Sequence, residues 1–340
     1  MPDLLELLRQ RPVVCAEGYL FECERRGYLQ AGAFVPEVVL DHPEVVEGLH
    51  REFVHAGSDV VEAFTYYGHR EKLRVLGKED VLEPLNQQAL AIAARVARET
   101  GTLLAGNLSN TNVYEPGAAS ERAVRPVFEE QVGWAADAGV DFIIAETFSW
   151  AGEALLALEV IREAGLPGVI TYSVHRDGDV REGMSAADAC RRAEQAGADV
   201  VGLNCARGPA TMLPMLAAIR EAVSCEVAAL PVPYRTTEDQ PTMQSLRDPA
   251  RGGAQAFPVG LDPFTCSRQE LAEFATAALA AGARYLGVCC GAGPHHIRAV
   301  AEAAGLVPAA SRYSPDMSKH SFFGNAPEIA ESYREYATQL

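Results

Sequence analysis

Two adjacent cysteines, Cys289 and Cys290, sit in the run Gly287-Val288-Cys289-Cys290-Gly291, at the close of an apolar stretch that reads as a buried strand. A second such stretch, Asp199-Val200-Val201-Gly202-Leu203-Asn204, ends in Cys205. Three cysteines at the C-terminal ends of two strands suit a catalytic metal site. Soft thiolates hold Zn²⁺ well, and three protein ligands leave a fourth position open for a substrate. Residue types alone leave two other readings open: packed thiols, and a strained vicinal disulfide. The remaining cysteines, Cys15, Cys23, Cys190, Cys225 and Cys266, stand alone and read as small packed side chains.

Positioning such residues requires strands that end on one face. Near-continuous apolar runs occur at 13–18, 58–65, 103–108, 140–146, 169–174, 199–204, 227–232 and 284–289, as expected of parallel strands buried on both faces. Amphipathic stretches at 44–55 and 84–99 alternate with them, and Ala56-Gly57, Gly139, Gly197 and Ala281-Gly282 stop helices before strands. Eight alternations imply an eight-stranded parallel barrel or a doubly wound sheet. No GxGxxG follows the first strand, which favours the α/β class with a (β/α)8 TIM barrel. The polar, Pro/Gly-rich segment 233–260 reads as a long loop on the catalytic face. We expect a barrel over 1–311, then a C-terminal extension over 312–340 with a helix at 327–340, packing on the barrel or on another subunit in a homo-oligomer.

In a barrel the strand ends gather Glu17, Tyr66, Tyr67, Asn107, Glu146, His175, Asn204, Cys205, Pro231, Cys289 and Cys290 at one mouth. His295 and His296 follow Gly-Pro at a helix start and read as capping or packing; Trp150 reads as packing. Counts of 29 basic and 46 acidic residues give a net charge of −17, which disfavours nucleic acid or an anionic membrane as partner. No apolar run reaches the length of a membrane span, and the N-terminus lacks a basic region followed by a long apolar one. A reducing, cytoplasmic compartment is therefore expected, where clustered cysteines bind metal or do chemistry.

The sequence resembles the homocysteine S-methyltransferases, the betaine-dependent enzymes most of all. The resemblance rests on Gly202-Leu203-Asn204-Cys205 and on the run from Arg284 to Gly291 followed by Pro294-His295-His296-Ile297-Arg298-Ala299. It continues through Arg26-Gly27-Tyr28, His50-Arg51-Glu52-Phe53, Ala56-Gly57-Ser58, Phe64-Thr65-Tyr66-Tyr67, the segment from Asp141 to Glu146, and Gly260-Leu261-Asp262-Pro263. This resemblance implies one zinc on Cys205, Cys289 and Cys290. It also implies transfer of a methyl group from a small onium donor, of the glycine betaine kind, to the homocysteine thiol, giving methionine. Glu146 would hold the homocysteine amino group, with Glu17, Gly18, Tyr66, Asn107 and Asn204 around it. Phe34, Tyr67 and Thr147 would face the donor.

Several positions depart from that pattern. The family's Asp-Gly-Gly at the first strand end is Ala16-Glu17-Gly18 here, which moves the carboxylate by one residue and, in a regular strand, to the opposite face. Phe34 stands for a Trp, Thr147 for a Tyr and Leu230 for a Gln. A sulfonium donor such as S-methylmethionine, or another thiol or quaternary amine, is therefore the alternative. A barrel that only binds zinc or a ligand is the reading from outside the enzymes.

Overall fold

The structure is a computed structural model that describes residues 3–340; Met1 and Pro2 of the N-terminal segment read above lie outside it. Eight parallel strands close into a barrel: β1 (Val13–Ala16), β2 (Val60–Glu62), β3 (Leu103–Ser109), β4 (Phe142–Phe148), β5 (Gly168–Tyr172), β6 (Val200–Asn204), β7 (Glu226–Leu230) and β8 (Ala283–Val288). Each strand pairs with its sequence neighbours, and β8 closes on β1 through Val13↔Tyr285 and Cys15↔Gly287. The fold is the (β/α)8 barrel that the alternation of apolar runs and amphipathic helices predicts.

Side-chain parity builds two cores. Val13, Cys15, Val60, Leu103, Ala105, Phe142, Ile144, Val169, Val200 and Tyr285 point inward and fill the barrel, with Leu4 and Leu8 of the first helix, Leu4–Gln10, completing the cluster. Their neighbours Val14, Ala16, Val61, Ile143, Ile170 and Val201 point outward and pack against the helices. Both faces of each strand are dry, which is why the strand sequences run apolar without alternation.

The helices match the expected stretches at Pro43–Ala56 and Leu82–Thr100, and each ends on a left-handed glycine, Gly57 (φ 115°) and Gly101 (φ 69°). Gly57 meets a second demand, since a Cβ there would lie 2.6 Å from the Ala301 Cβ. β1 stops at Ala16, two residues before the predicted end, because Glu17-Gly18 turns into the helix Tyr19–Arg25. The 233–260 loop is less irregular than expected: Arg247–Asp248 pairs antiparallel with Ala254–Gln255. The tail helix is shorter than expected, Glu331–Ala337, and no side chain caps it. No helix among the described residues is long and apolar enough to cross a membrane.

His50 is fully buried on its helix against Tyr19, ring centroids 4.9 Å apart, and neither nitrogen has a hydrogen-bond partner. Burial pushes its pKa down from 6.5 to about 3. The unfolded chain therefore takes up a proton below pH 6.5 that the folded chain refuses until about pH 3. Folding stability is lost as pH falls through that window, by about 1.4 kcal/mol per pH unit. His50→Phe is expected to remove this component. Urea unfolding of the two proteins between pH 6 and 4 should then diverge by that slope, and parallel pH profiles would contradict the assignment.

Candidate metal centre and acceptor recess

The inward parity of the strands continues into polar residues at their C-terminal ends. Glu62 follows Val60 on β2, Asn107 follows Ala105 on β3, Glu146 follows Ile144 on β4, and Asn204 lies beyond Val200 and Gly202 on β6. Glu17, just past β1, keeps the phase of Cys15, and Cys289, just past β8, keeps the phase of Tyr285. The result is one buried polar layer above the apolar barrel core: Glu17, Glu62, Asn107, Glu146 and Asn204 are each at most 5 % exposed.

Cys205 and Cys290 are adjacent to residues that already face inward, so a regular extension would aim them away. At Cys205 the chain enters the left-handed region (φ 56°), breaking the alternation; at the other end Gly291 (φ 96°) follows Cys290. Tyr67 (φ 59°), Thr147 (φ 63°) and Phe34 (φ 54°) share this rare conformation. Left-handed backbone in non-glycine residues costs about 1 kcal/mol or more each, and its concentration at one mouth marks a site whose side-chain directions matter more than local comfort.

The Cys205, Cys289 and Cys290 sulfurs all lie within 4.8 Å of one another, and all three are free thiols. Tetrahedral Zn–S bonds of about 2.3 Å place sulfurs about 3.8 Å apart, so the donor set fits zinc in number, type and spacing. Hydrogen bonding to Cys289 and Cys290 holds the Cys205 thiol well below its ordinary pKa, whereas burial pushes Cys289 up. The lone cysteines behave as packed side chains: Cys15, Cys23, Cys190 and Cys266 are buried, and burial pushes Cys23 up to about 12.

Two amides organise the carboxylates. Asn107 Nδ2 donates to Glu62 Oε1 (2.5 Å) and to Glu146 Oε1 (2.6 Å). Asn204 Nδ2 donates to Glu146 Oε2 (2.6 Å), lies 2.9 Å from Thr147 Oγ1 and 3.4 Å from Glu17 Oε2, and its Oδ1 accepts from the Thr147 backbone N–H (2.9 Å). Burial raises the Glu146 pKa to about 7 and raises Glu17 and Glu62 well above the ordinary carboxylate range. This recess, edged by Tyr66, Cys289 and Cys290, opens beside a cavity of about 360 Å³ lined by Phe21, Phe34, Tyr67, Thr147, His175 and Phe257 among others. Phe21 and Phe34 pack at 5.6 Å, Tyr66 and Tyr67 at 4.4 Å. The Lys72 ammonium lies 4.5 Å from the Tyr67 centroid, so that ring already carries one cation.

A sequence model of the family described as homocysteine S-methyltransferase matches residues 19–304. The chain belongs to this family. Betaine–homocysteine S-methyltransferase 1 of Danio rerio is 37 % identical, the match covering 99 % of this chain and 85 % of that one. S-methylmethionine–homocysteine S-methyltransferase BHMT2 of Rattus norvegicus is 32 % identical over 98 % of this chain and 91 % of that one. The metallated form of the homocysteine methyltransferase MmuM from Escherichia coli shares the fold, with a TM-score of 0.68 at 17 % identity, covering 86 % of this chain and 97 % of that one. The chain is therefore an S-methyltransferase by family.

Against the family pattern the first strand end is the informative departure. Ala16 faces the helices and Glu17 faces the recess, so the displaced carboxylate still reaches the polar layer. Gly18 lines neither space. It opens the Tyr19–Arg25 helix, and a Cβ there would lie 2.2 Å from the Ala292 carbonyl oxygen, so its part is close packing. Leu230 belongs to the barrel core, and Pro231 is outside both linings. His296 caps its helix, its Nδ1 accepting from the Gly293 N–H (3.2 Å), and Trp150 packs under the Arg181 guanidinium (4.6 Å). The apolar runs do not single out Glu62, which falls inside the run 58–65; it becomes a strand end only because β2 stops there. Met243, Gln244 and Phe257 of the long loop also line the cavity, and no periodicity announces them.

Proposed function

We propose that this chain transfers a methyl group from a small onium compound to the thiol of homocysteine, giving methionine, with zinc held by Cys205, Cys289 and Cys290. The observation that carries the reading is the placement of three mutually close sulfurs between a carboxylate recess and an aromatic cavity. Zinc, when bound, supplies Lewis acidity that keeps a coordinated thiol deprotonated at neutral pH.

The protein's own residues do the rest. Glu146 and Glu17 accept hydrogen bonds from the substrate ammonium, and Asn204 and Asn107 fix the Glu146 carboxylate so that the acceptor enters in one orientation. Phe34, Phe21 and Tyr66 offer ring faces to a cationic donor, with Tyr67, which already holds the Lys72 ammonium, packed beside Tyr66. The acceptor sulfur lone pair forms the new S–C bond as the donor's bond to that methyl breaks, the electron pair staying on the departing nitrogen or sulfur. The departing nitrogen or sulfur atom is neutral, so no general acid is required.

Glycine betaine or a close relative is the first donor, supported by the 37 % identity along nearly the whole chain to a betaine-dependent enzyme. S-methylmethionine is the second, supported by the 32 % identical relative that bears its name and by the substituted donor positions Phe34 and Thr147. Metal analysis of the purified protein should return one zinc per chain. Homocysteine with a panel of onium donors should yield methionine, fastest with the betaine class. Absence of methionine with every onium donor would refute the reading. The segment after residue 311 leaves Tyr313, Phe323, Tyr333 and Tyr336 exposed, which supports its role as an arm in a homo-oligomer, testable by the mass in solution with and without it.

A further inference from the structure

We propose that Tyr234 and Arg25 are positioning residues of the metal centre: Tyr234 spans the two turns that carry the sulfurs, and Arg25 locks it to the Cys290 turn. This rests on the metal-centre reading and adds to it the groups that set the sulfurs in place before an ion enters.

β7 lies between β6 and β8 in the barrel, so its C-terminal end stands between Cys205 and the Cys289-Cys290 pair. The backbone uses that position. The Cys205 N–H donates to the Leu230 carbonyl (2.9 Å) and the Cys289 N–H to the Pro231 carbonyl (2.9 Å), so adjacent residues of one segment fix both sulfur-bearing turns. Cys290 lies one residue further, where the chain turns left-handed at Gly291 (φ 96°), and the same segment reaches it through a side chain.

That side chain is Tyr234, which is fully buried. Its carbonyl oxygen lies 1.9 Å from where a Cβ on Gly208 would fall, and its hydroxyl oxygen 2.2 Å from where a Cβ on Gly291 would fall. Gly208 is three residues past Cys205 and Gly291 one past Cys290, so one tyrosine touches both turns from its two ends. Backbone hydrogen bonds hold it there: Val232 N–H to Arg207 O (3.0 Å), Cys266 N–H to Pro233 O (2.8 Å) and Arg235 N–H to Phe264 O (2.8 Å).

Arg25 completes the strut. It ends the Tyr19–Arg25 helix with its side chain 27 % exposed. Nη1 donates to the Gly291 carbonyl oxygen (2.9 Å) and Nη2 to the Tyr234 hydroxyl (2.7 Å), while the Glu22 and Asp262 carboxylates stand farther off, at 3.7 and 3.6 Å. A guanidinium near two acids ordinarily spends its planar fork on them. Here its short bonds go to the two neutral oxygens beside Cys290. A glycine turn is conformationally free unless its neighbours fix it. The fork fixes the Gly291 carbonyl and the hydroxyl packed on Gly291 together, so a metal ion does not have to order the turn as it binds.

The full chain, stripped of metal, is titrated with Zn²⁺ in competition with a chromophoric chelator. Tyr234→Phe removes one oxygen atom and keeps the ring; it is expected to weaken zinc binding about tenfold, and Arg25→Met about tenfold to a hundredfold. Both act through one contact, so the double variant is expected to match Arg25→Met within about twofold. Arg25→Lys keeps a donor for the Gly291 carbonyl and should bind zinc about threefold or more tighter than Arg25→Met. Arg235→Met breaks the Arg235–Glu270 pair (2.6 Å) one residue along the same segment, and its zinc affinity is expected to equal that of the unaltered chain. Unaltered zinc affinity in Tyr234→Phe overturns the proposal, as do a double variant whose losses add, no recovery in Arg25→Lys, or an equal loss in Arg235→Met, which would mark general loosening. Should Arg25→Met not fold, Tyr234→Phe against the Arg235→Met control decides alone. An unaltered chain that takes up no Zn²⁺ sinks the metal-centre reading itself, whereas one that binds Zn²⁺ and is indifferent to both substitutions leaves that reading intact and removes only the strut.

Discussion

Cys205→Ala is expected to reduce bound zinc from one per chain to near none and to lower methyl transfer about a thousandfold or more, because two thiols cannot hold what three hold. Cys205, just past β6, supplies one sulfur of the three-thiol cluster; the other two lie just past β8. Its removal leaves Cys289 and Cys290, adjacent in sequence, with no opposing ligand across the mouth. The fold should survive, since the lost side chain is small and lies above the barrel core, at a cost of about 1–2 kcal/mol. Zinc stoichiometry, methionine formation and thermal unfolding, measured together, separate the two effects. A variant that keeps its zinc and its rate would remove Cys205 from the metal site.

Gly287→Ala should have a large effect on stability. A Cβ at Gly287 would lie 2.0 Å from the Cys15 carbonyl oxygen and 2.6 Å from Leu230 Cδ2. The first obstacle is backbone, in the ladder where β8 closes the barrel on β1, and it cannot rotate away. We expect a loss above about 3 kcal/mol, and metal binding impaired with it because Cys289 lies two residues further on, just past the end of that strand. Gly48→Ala is the matched control. It lies within the Pro43–Ala56 helix, a Cβ there meets nothing within 4 Å, and helix propensity predicts a gain of up to about 1 kcal/mol. Urea unfolding of both variants checks the contrast; equal midpoints would show that the β1–β8 seam tolerates a side chain.

Both results trace to features of unequal visibility in the sequence. The eight strands were legible because each is a short apolar run between helix stops, and the three cysteines because they end two of those runs. Glu146 was legible as a carboxylate closing such a run. Glu62 satisfies the same rule, yet β2 is only three residues long and the predicted run extended past Glu62 to residue 65, which hid it. Strand alternation alone leaves the direction of Glu17 open; with Cys15 inward, Glu17 is the next inward position and its carboxylate reaches the polar layer.

The amino-acid sequence by itself determined the barrel, the strand ends and the three sulfurs, since these follow from local apolar patterning and residue type, which need no knowledge of distant neighbours. Tertiary structure alone decided which polar groups share the recess, that Gly18 packs against Ala292 and lines neither space, that Lys72 already rests on Tyr67, and that Phe257 and Met243 reach the cavity. Those outcomes depend on left-handed backbone at Tyr67, Thr147 and Cys205 and on a loop folded back across the mouth. Such conformations are unfavourable locally and persist only because the surrounding barrel holds them, so no local pattern announces them.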